Sequence, residues 1–117
     1  MHPMLETLLE IQDLKTHRRE LETAEGAMQS EVFGLSVTDA LETLDAKINE
    51  MEESLEPTVR TRYRRVAAKQ PRAVVPVIRG TCYGCFVQVP TALASDAERN
   101  SEVRSCQNCG RFLYRID

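Results

Sequence analysis

The strongest constraint on this chain is a pair of cysteine doublets, Cys82-Tyr83-Gly84-Cys85 and Cys106-Gln107-Asn108-Cys109, with twenty residues between them. Two residues between cysteines let both thiolates of a doublet face one ion from a single tight turn. Two such turns brought together complete a tetrahedron of sulfur. Gly110 follows the last cysteine, where a positive φ turns backbone N–H groups toward sulfur, and Gly84 is expected to do a related job in the first turn. The spacing predicts one structural zinc ion held by Cys82, Cys85, Cys106 and Cys109. Two disulfides or four free thiols are the plainer alternatives, and an iron or [2Fe–2S] site is a chemical rival. A catalytic zinc is not expected, because four thiolates close the coordination sphere and leave no place for water.

Short apolar segments flank the doublets. Residues 73–78 read as a strand that Pro76 restricts to an edge or a bulge, and further short strands are expected at 86–89, 102–105 and 111–115. Strand, knuckle, strand, excursion, strand, knuckle, strand is the pattern of a zinc ribbon. Phe112, Leu113 and Tyr114 should pack it, with one face left open because neighbours alternate. A ribbon of roughly 40 residues buries too little apolar surface to fold unaided, so the metal is expected to supply the difference.

The N-terminal half has helical periodicity. Leu5, Leu8, Leu9, Ile11, Leu14 and Leu21 form a stripe that starts near Pro3 and is expected to stop at Gly26. Val37, Leu41, Leu44, Ile48, Met51 and Leu55 follow the 4,3,4,3,4 spacing of a heptad seam, with Thr38 as the expected cap. Residues 26–37 would connect the two helices. An antiparallel hairpin is the economical arrangement, although the seam could equally pair with a second copy as a homodimer. Pro57 interrupts the pattern, and a third helix from Thr58 to about Lys69 presents Val59, Tyr63 and Val66 on one face. The fold class is therefore α+β: a helical hairpin or coiled coil at 1–56, a basic linking helix at 57–72 and a four-cysteine ribbon at 73–117.

Charge divides along the same lines. Residues 1–56 carry 14 acidic and 4 basic side chains, whereas residues 57–95 carry 7 basic and none acidic. The basic segment is the candidate nucleic-acid surface, with Arg60, Arg64, Arg65, Lys69, Arg72 and Arg79 for phosphates and Tyr83 and Phe86 for stacking. The plainer reading is a solvated helix face whose arginines pair with the acidic hairpin. Phe33 and Leu35, with Met28, Val32 and Val37, make an apolar hairpin tip that would dock a protein partner or second subunit, or pack locally. His2 and His17 read as surface residues. No catalytic triad, P-loop or dinucleotide fingerprint is present, so an enzyme is not expected. No 18-residue apolar run and no signal-peptide pattern occur, which predicts a cytoplasmic protein away from membranes.

From Leu55 onward the sequence resembles bacterial coiled-coil proteins with a C-terminal four-cysteine zinc ribbon, a family regarded as nucleic-acid binding. Pro57, Tyr63, Ala73-Val74-Val75-Pro76-Val77, Gly80-Thr81-Cys82-Tyr83-Gly84-Cys85, Val89-Pro90 and Cys106-Gln107-Asn108-Cys109-Gly110-Arg111-Phe112-Leu113-Tyr114 carry the resemblance. It implies a long coiled-coil hairpin with the ribbon at its open end. It also implies contacts with RNA or DNA and with proteins, among them flagellar and secretion components and sigma factors. The coiled coil here is about half the usual length, so the zinc site carries over and partner sites along a longer hairpin do not. In outline the chain also resembles RNA polymerase-binding regulators of the DnaK-suppressor type, whose acidic coiled-coil tip has only Glu31 and Asp39 as counterparts here. A scaffold or chaperone for a motility or secretion complex is a further reading.

Overall fold

The computed structural model describes residues 1–28, 31–90, 100 and 102–116, and within these the side chains of 24–28 and 31–37 are outside the description. Three helices precede one small sheet, so the class is α+β. The helices are Pro3–Met28 (α1), Glu31–Glu53 (α2) and Pro57–Lys69 (α3). The strands are Val74–Ile78 (β1), Thr81–Cys82 (β2), Arg104–Ser105 (β3) and Phe112–Arg115 (β4), ordered β2-β1-β4-β3.

Helix α1 starts at Pro3, whose fixed φ suits a first helical position. His2 caps it: its side-chain Nδ1 accepts the Met4 backbone N–H at 3.0 Å, and its backbone N–H donates to the Asn100 carbonyl at 2.7 Å. This histidine is thus more than a surface residue. The helix does not stop at Gly26, and α2 begins at Glu31, so helix takes up most of the expected connection over 26–37. One glycine inside a helix costs only about 1 kcal/mol, which contacts between two long helices outweigh. Thr38, the expected cap, lies inside α2. Phe33 and Leu35 fall in the opening turns of α2, and their side chains lie outside the described residues.

The helices pair within one chain and run antiparallel. Moving up α1, Met4 Sδ accepts the Glu56 N–H at 3.5 Å, Lys15 pairs with Glu52 at 3.0 Å, and Arg18 pairs with Asp45. Pro57 then occupies the first turn of α3, where its missing N–H has no helical acceptor to lose. Arg60 holds the corner between α2 and α3. Its Nε donates to the Glu52 carbonyl at 3.2 Å, and its Nη2 donates to the carbonyls of Glu53 (2.7 Å) and Leu55 (2.9 Å). Carbonyls in the last turn of α2 and in the corner beyond it lack the full set of helical donors, and Arg60 supplies them.

The sheet separates two apolar layers. On one side Val74 and Phe112 join Leu5, Leu8 and Ile11 of α1, Leu55 of the corner, Tyr63 of α3 and Ala73 in one buried cluster. On the other side Val75, Val77 and Leu113 pack against Cys82 and Cys106. Strand alternation produces this division, since successive side chains point to opposite faces. One face was expected to stay open, but Phe112 packs on the helices and the cysteine cluster closes over Leu113, which is 6% exposed.

Pro76 departs from expectation. Its strand is interior, paired in parallel with β4 and antiparallel with β2. The side of β1 that carries Ala73 and Val77 faces β4, because the Ala73 carbonyl accepts Phe112 N–H and the Val77 carbonyl accepts Ile116 N–H. Pro76 faces β2, where its carbonyl accepts the Tyr83 N–H at 3.0 Å but no N–H exists to return the bond. The β1–β2 ladder ends there. Residues 86–89 also fail to form the expected strand and keep only a Thr81–Gln88 bridge, because Phe86 adopts a left-handed φ of 60°. Among the described residues, no helix is long and apolar enough to cross a membrane.

Candidate metal centre

Each cysteine doublet leaves a short strand and turns back on itself in the same way. In the first, Cys82 N–H donates to the Val87 carbonyl (3.0 Å) and Phe86 N–H to the Cys82 carbonyl (2.7 Å). In the second, Cys106 N–H donates to the Arg111 carbonyl (2.8 Å) and Gly110 N–H to the Cys106 carbonyl (2.9 Å). The two knuckles are structural repeats, with Phe86 equivalent to Gly110, Gly84 to Asn108 and Val87 to Arg111. Gly110 has the expected positive φ of 78°. In the first knuckle that conformation belongs to Phe86, not to Gly84. Gly84 is there for space, because a Cβ on it would lie 2.5 Å from Arg111 Nη1 and 3.1 Å from Val75 Cγ2.

The repeats bring the four sulfurs together. Cys82 and Cys109 Sγ are 3.8 Å apart, Cys85 and Cys106 Sγ are 3.7 Å apart, and all four lie within 4.8 Å of one another. A disulfide needs about 2.05 Å, so these are free thiols. A tetrahedron with metal–sulfur bonds of about 2.3 Å has edges of about 3.8 Å, so the donor set fits a single ion. A two-iron cluster would hold its sulfur pairs further apart. Cys82 and Cys106 are buried, whereas Cys85 and Cys109 are partly exposed.

The thiols are electrostatically unequal. Burial pushes Cys82 up to about 12 and raises Cys109 above its ordinary value. A hydrogen bond from the Asn108 side chain, reaching over from the other knuckle, lowers Cys85 to about 6. Four thiolates at this spacing coexist at neutral pH only around a cation, whose binding displaces the remaining protons.

The other predicted site residues scatter. Arg60 is turned inward on backbone carbonyls at the end of α2, and Arg64 pairs with Glu53 at 3.0 Å, so both are engaged with the hairpin. Arg65, Lys69 and Arg72 are exposed. Arg79 is exposed in the two-residue turn between β1 and β2, where it and Gly80 both have positive φ (52° and 75°). Tyr83 and Phe86 are 45% and 70% exposed, and their rings meet at 5.4 Å and 51°. Sequence reasoning missed Asn108 and Arg111 at the knuckles and Gln70, whose side chain accepts from Arg111. Aligning one doublet on the other would have marked the first two, since Gly84 and Asn108 then occupy one position, as do Val87 and Arg111, whereas nothing in the sequence marks Gln70.

Two solved structures share the fold. The HP0958 protein from Helicobacter pylori CCUG 17874 is 24% identical, with a TM-score of 0.64 over 88% of this chain and 45% of that one. CT398 from Chlamydia trachomatis is 21% identical, with a TM-score of 0.58 over 81% of this chain and 42% of that one. This chain therefore spans less than half the length of either. A search of curated proteins found no match. Residues 81–113 match the family model for the C4-type zinc ribbon domain, and with four thiols converging inside that span the chain carries a zinc ribbon module positioned to bind a metal.

Proposed function

We propose that the ion is zinc and that the chain is a non-enzymatic binding module. Its ribbon holds an aromatic surface for single-stranded nucleic acid, and its acidic hairpin serves as an arm toward protein partners in the cytoplasm. Four thiolates suit zinc as a closed structural site, with no position left for a reacting water.

The observation that carries this reading is Phe86. A bulky side chain in the left-handed region costs about 1–2 kcal/mol, and the equivalent position in the other knuckle is glycine. Phe86 recovers little of that through burial, being 70% exposed. Its value lies in what it presents: a ring beside Tyr83, held by the metal knuckle. Aromatic faces of this kind stack on bases for about 1–3 kcal/mol each. Arg65, Lys69 and Arg72 are the phosphate contacts of this reading. Arg60 and Arg64, engaged on α2, are left out of it.

The arm has its own support. Among the described residues of α1, full burial ends at Ile11, yet the helix runs on to Met28. The distal hairpin therefore projects beyond the shared core, giving a molecule 54 Å long and 27 by 23 Å across.

Fluorescence anisotropy of labelled single-stranded RNA and DNA against the zinc-loaded chain tests the proposal. Binding should weaken with salt and fall by about tenfold in Phe86→Ala, the equivalent of one lost stacking contact. Absent binding, or a flat salt response, would sink the nucleic-acid reading and leave a protein surface in its place.

A further inference from the structure

A zinc ion with four thiolates carries a net charge of about −2. Here two of the sulfurs are buried under the sheet, where uncompensated charge is costly. Three features of Arg111 bear on this charge. Its backbone belongs to the second knuckle: the N–H bonds the Cys109 sulfur and the carbonyl accepts Cys106 N–H at 2.8 Å. Its side chain crosses to the first knuckle and occupies the space over Gly84, whose own N–H donates to Cys82 Sγ at 3.4 Å. With ordinary covalent geometry these contacts put Nη1 within about 8.5 Å of the Cys82 sulfur, close to the screening length of about 8 Å in physiological salt.

The third feature is how the guanidinium is held. Nη2 donates to Gln70 Oε1, on the residue that ends α3, while Nε is buried with no hydrogen-bond partner among the described residues. A buried guanidinium donor without an acceptor is unfavourable unless negative charge nearby offsets it. We propose that Arg111 balances the charge of the metal-loaded centre and closes the two knuckles on each other, with Gln70 as the positioning residue that holds its guanidinium in place. This rests on the metal-binding reading above. It also explains Gly84, since any side chain there would displace Arg111.

The test uses the full chain loaded with cobalt(II), whose absorption bands report tetrahedral thiolate coordination, titrated with a chelator. Arg111→Met keeps the aliphatic stem and removes the charge. It should weaken metal binding about tenfold or more, and the gap to wild type should narrow as salt is raised. Arg111→Lys should retain most of the affinity, and Gln70→Leu should show a smaller loss in the same direction. Equal losses in the Lys and Met variants would assign the effect to packing and overturn the proposal, as would a Met variant within about twofold of wild type. Should Arg111→Met not fold, Gln70→Leu decides alone, and unchanged affinity there overturns the proposal. A wild-type chain without tetrahedral cobalt bands would instead overturn the metal-binding reading itself.

Discussion

Leu8 lies far in sequence from every cysteine, yet truncating it should loosen the metal centre. Its side chain is completely buried, in one cluster with Val74 and Phe112 of the sheet. Those strands carry Val75 and Leu113 on the opposite face, against Cys82 and Cys106. Leu8→Ala removes three buried carbons and leaves a cavity between a helix and a sheet that are both held elsewhere. Such sites collapse poorly, so the loss should fall at about 3–4 kcal/mol within the range for buried leucines. A chain of this size has a total of roughly 6–18 kcal/mol. With a urea slope of about 2 kcal/mol/M the midpoint should drop by about 1.5–2 M at unchanged slope. Two signals should be followed on the cobalt-loaded chain: helical circular dichroism and the thiolate–cobalt bands. Both should shift together, because hairpin and ribbon share one core. Phe112→Ala, approaching from the ribbon side, should shift the same two signals by about 3–5 kcal/mol. Separate transitions, with the cobalt signal unmoved by Leu8→Ala, would refute the shared core and make the ribbon an independent unit.

Arg60→Met should destabilise the chain by about 2 kcal/mol, through charged hydrogen bonds lost at the end of α2, and leave RNA binding unchanged. Urea midpoints and anisotropy measured side by side check this. Phe86→Gly should raise stability by about 1 kcal/mol as left-handed strain is relieved, while weakening RNA binding. Stripping the metal with a chelator should lower the helical melting midpoint as well as abolish the ribbon, again because the core is shared. Alkali should act at the junction of the three helices, where Lys15 donates to the Tyr63 hydroxyl and pairs with Glu52. Burial works to lower Lys15, but its bonds to Tyr63 and Glu52 outweigh burial and raise it above 10.5, while burial raises Tyr63 above 10.0. Both groups hold protons in the folded state that the unfolded state releases. Their contribution is therefore complete below about pH 10 and is lost as pH rises through the folded values. Urea midpoints should fall above pH 10 in wild type and fall less steeply in Tyr63→Phe.

The metal ligands and the order of elements were legible because each rests on a short-range rule. Cysteine spacing limits which sulfurs can meet, heptad spacing limits which faces pair, and Pro57 suits the first turn of a helix but not its interior. What was not legible depends on contacts between distant segments. Gly26 was expected to end α1, but the decision belongs to the partner helix, which rewards continued pairing. Pro76 was expected at an edge or a bulge because a sequence does not show which side of a strand its missing N–H will face. Arg60 and Arg64 carry the same charge as Arg65 and Lys69. Only the fold places the first two against the carbonyls and carboxylates of α2. The basic segment is consequently less basic to an approaching ligand than its composition suggests.

The two knuckles make the same point at the site itself. They share hydrogen-bond pattern, cysteine spacing and backbone turn, so metal binding alone would favour the same residues in both. The second follows that preference, with glycine at its left-handed position. The first has Phe86 in that conformation, 70% exposed, so the strain has no return in burial. It has Gly84 where Arg111 of the other knuckle lies across it and Val75 sits beneath. The two departures from symmetry differ in direction: one points outward, to a ring offered to solvent beside Tyr83, and one inward, to the cation that spans the knuckles. A site whose sole task was to hold a metal would use the inward cation but would not need the exposed ring, which is why Phe86, more than the four cysteines, supports the proposed binding surface.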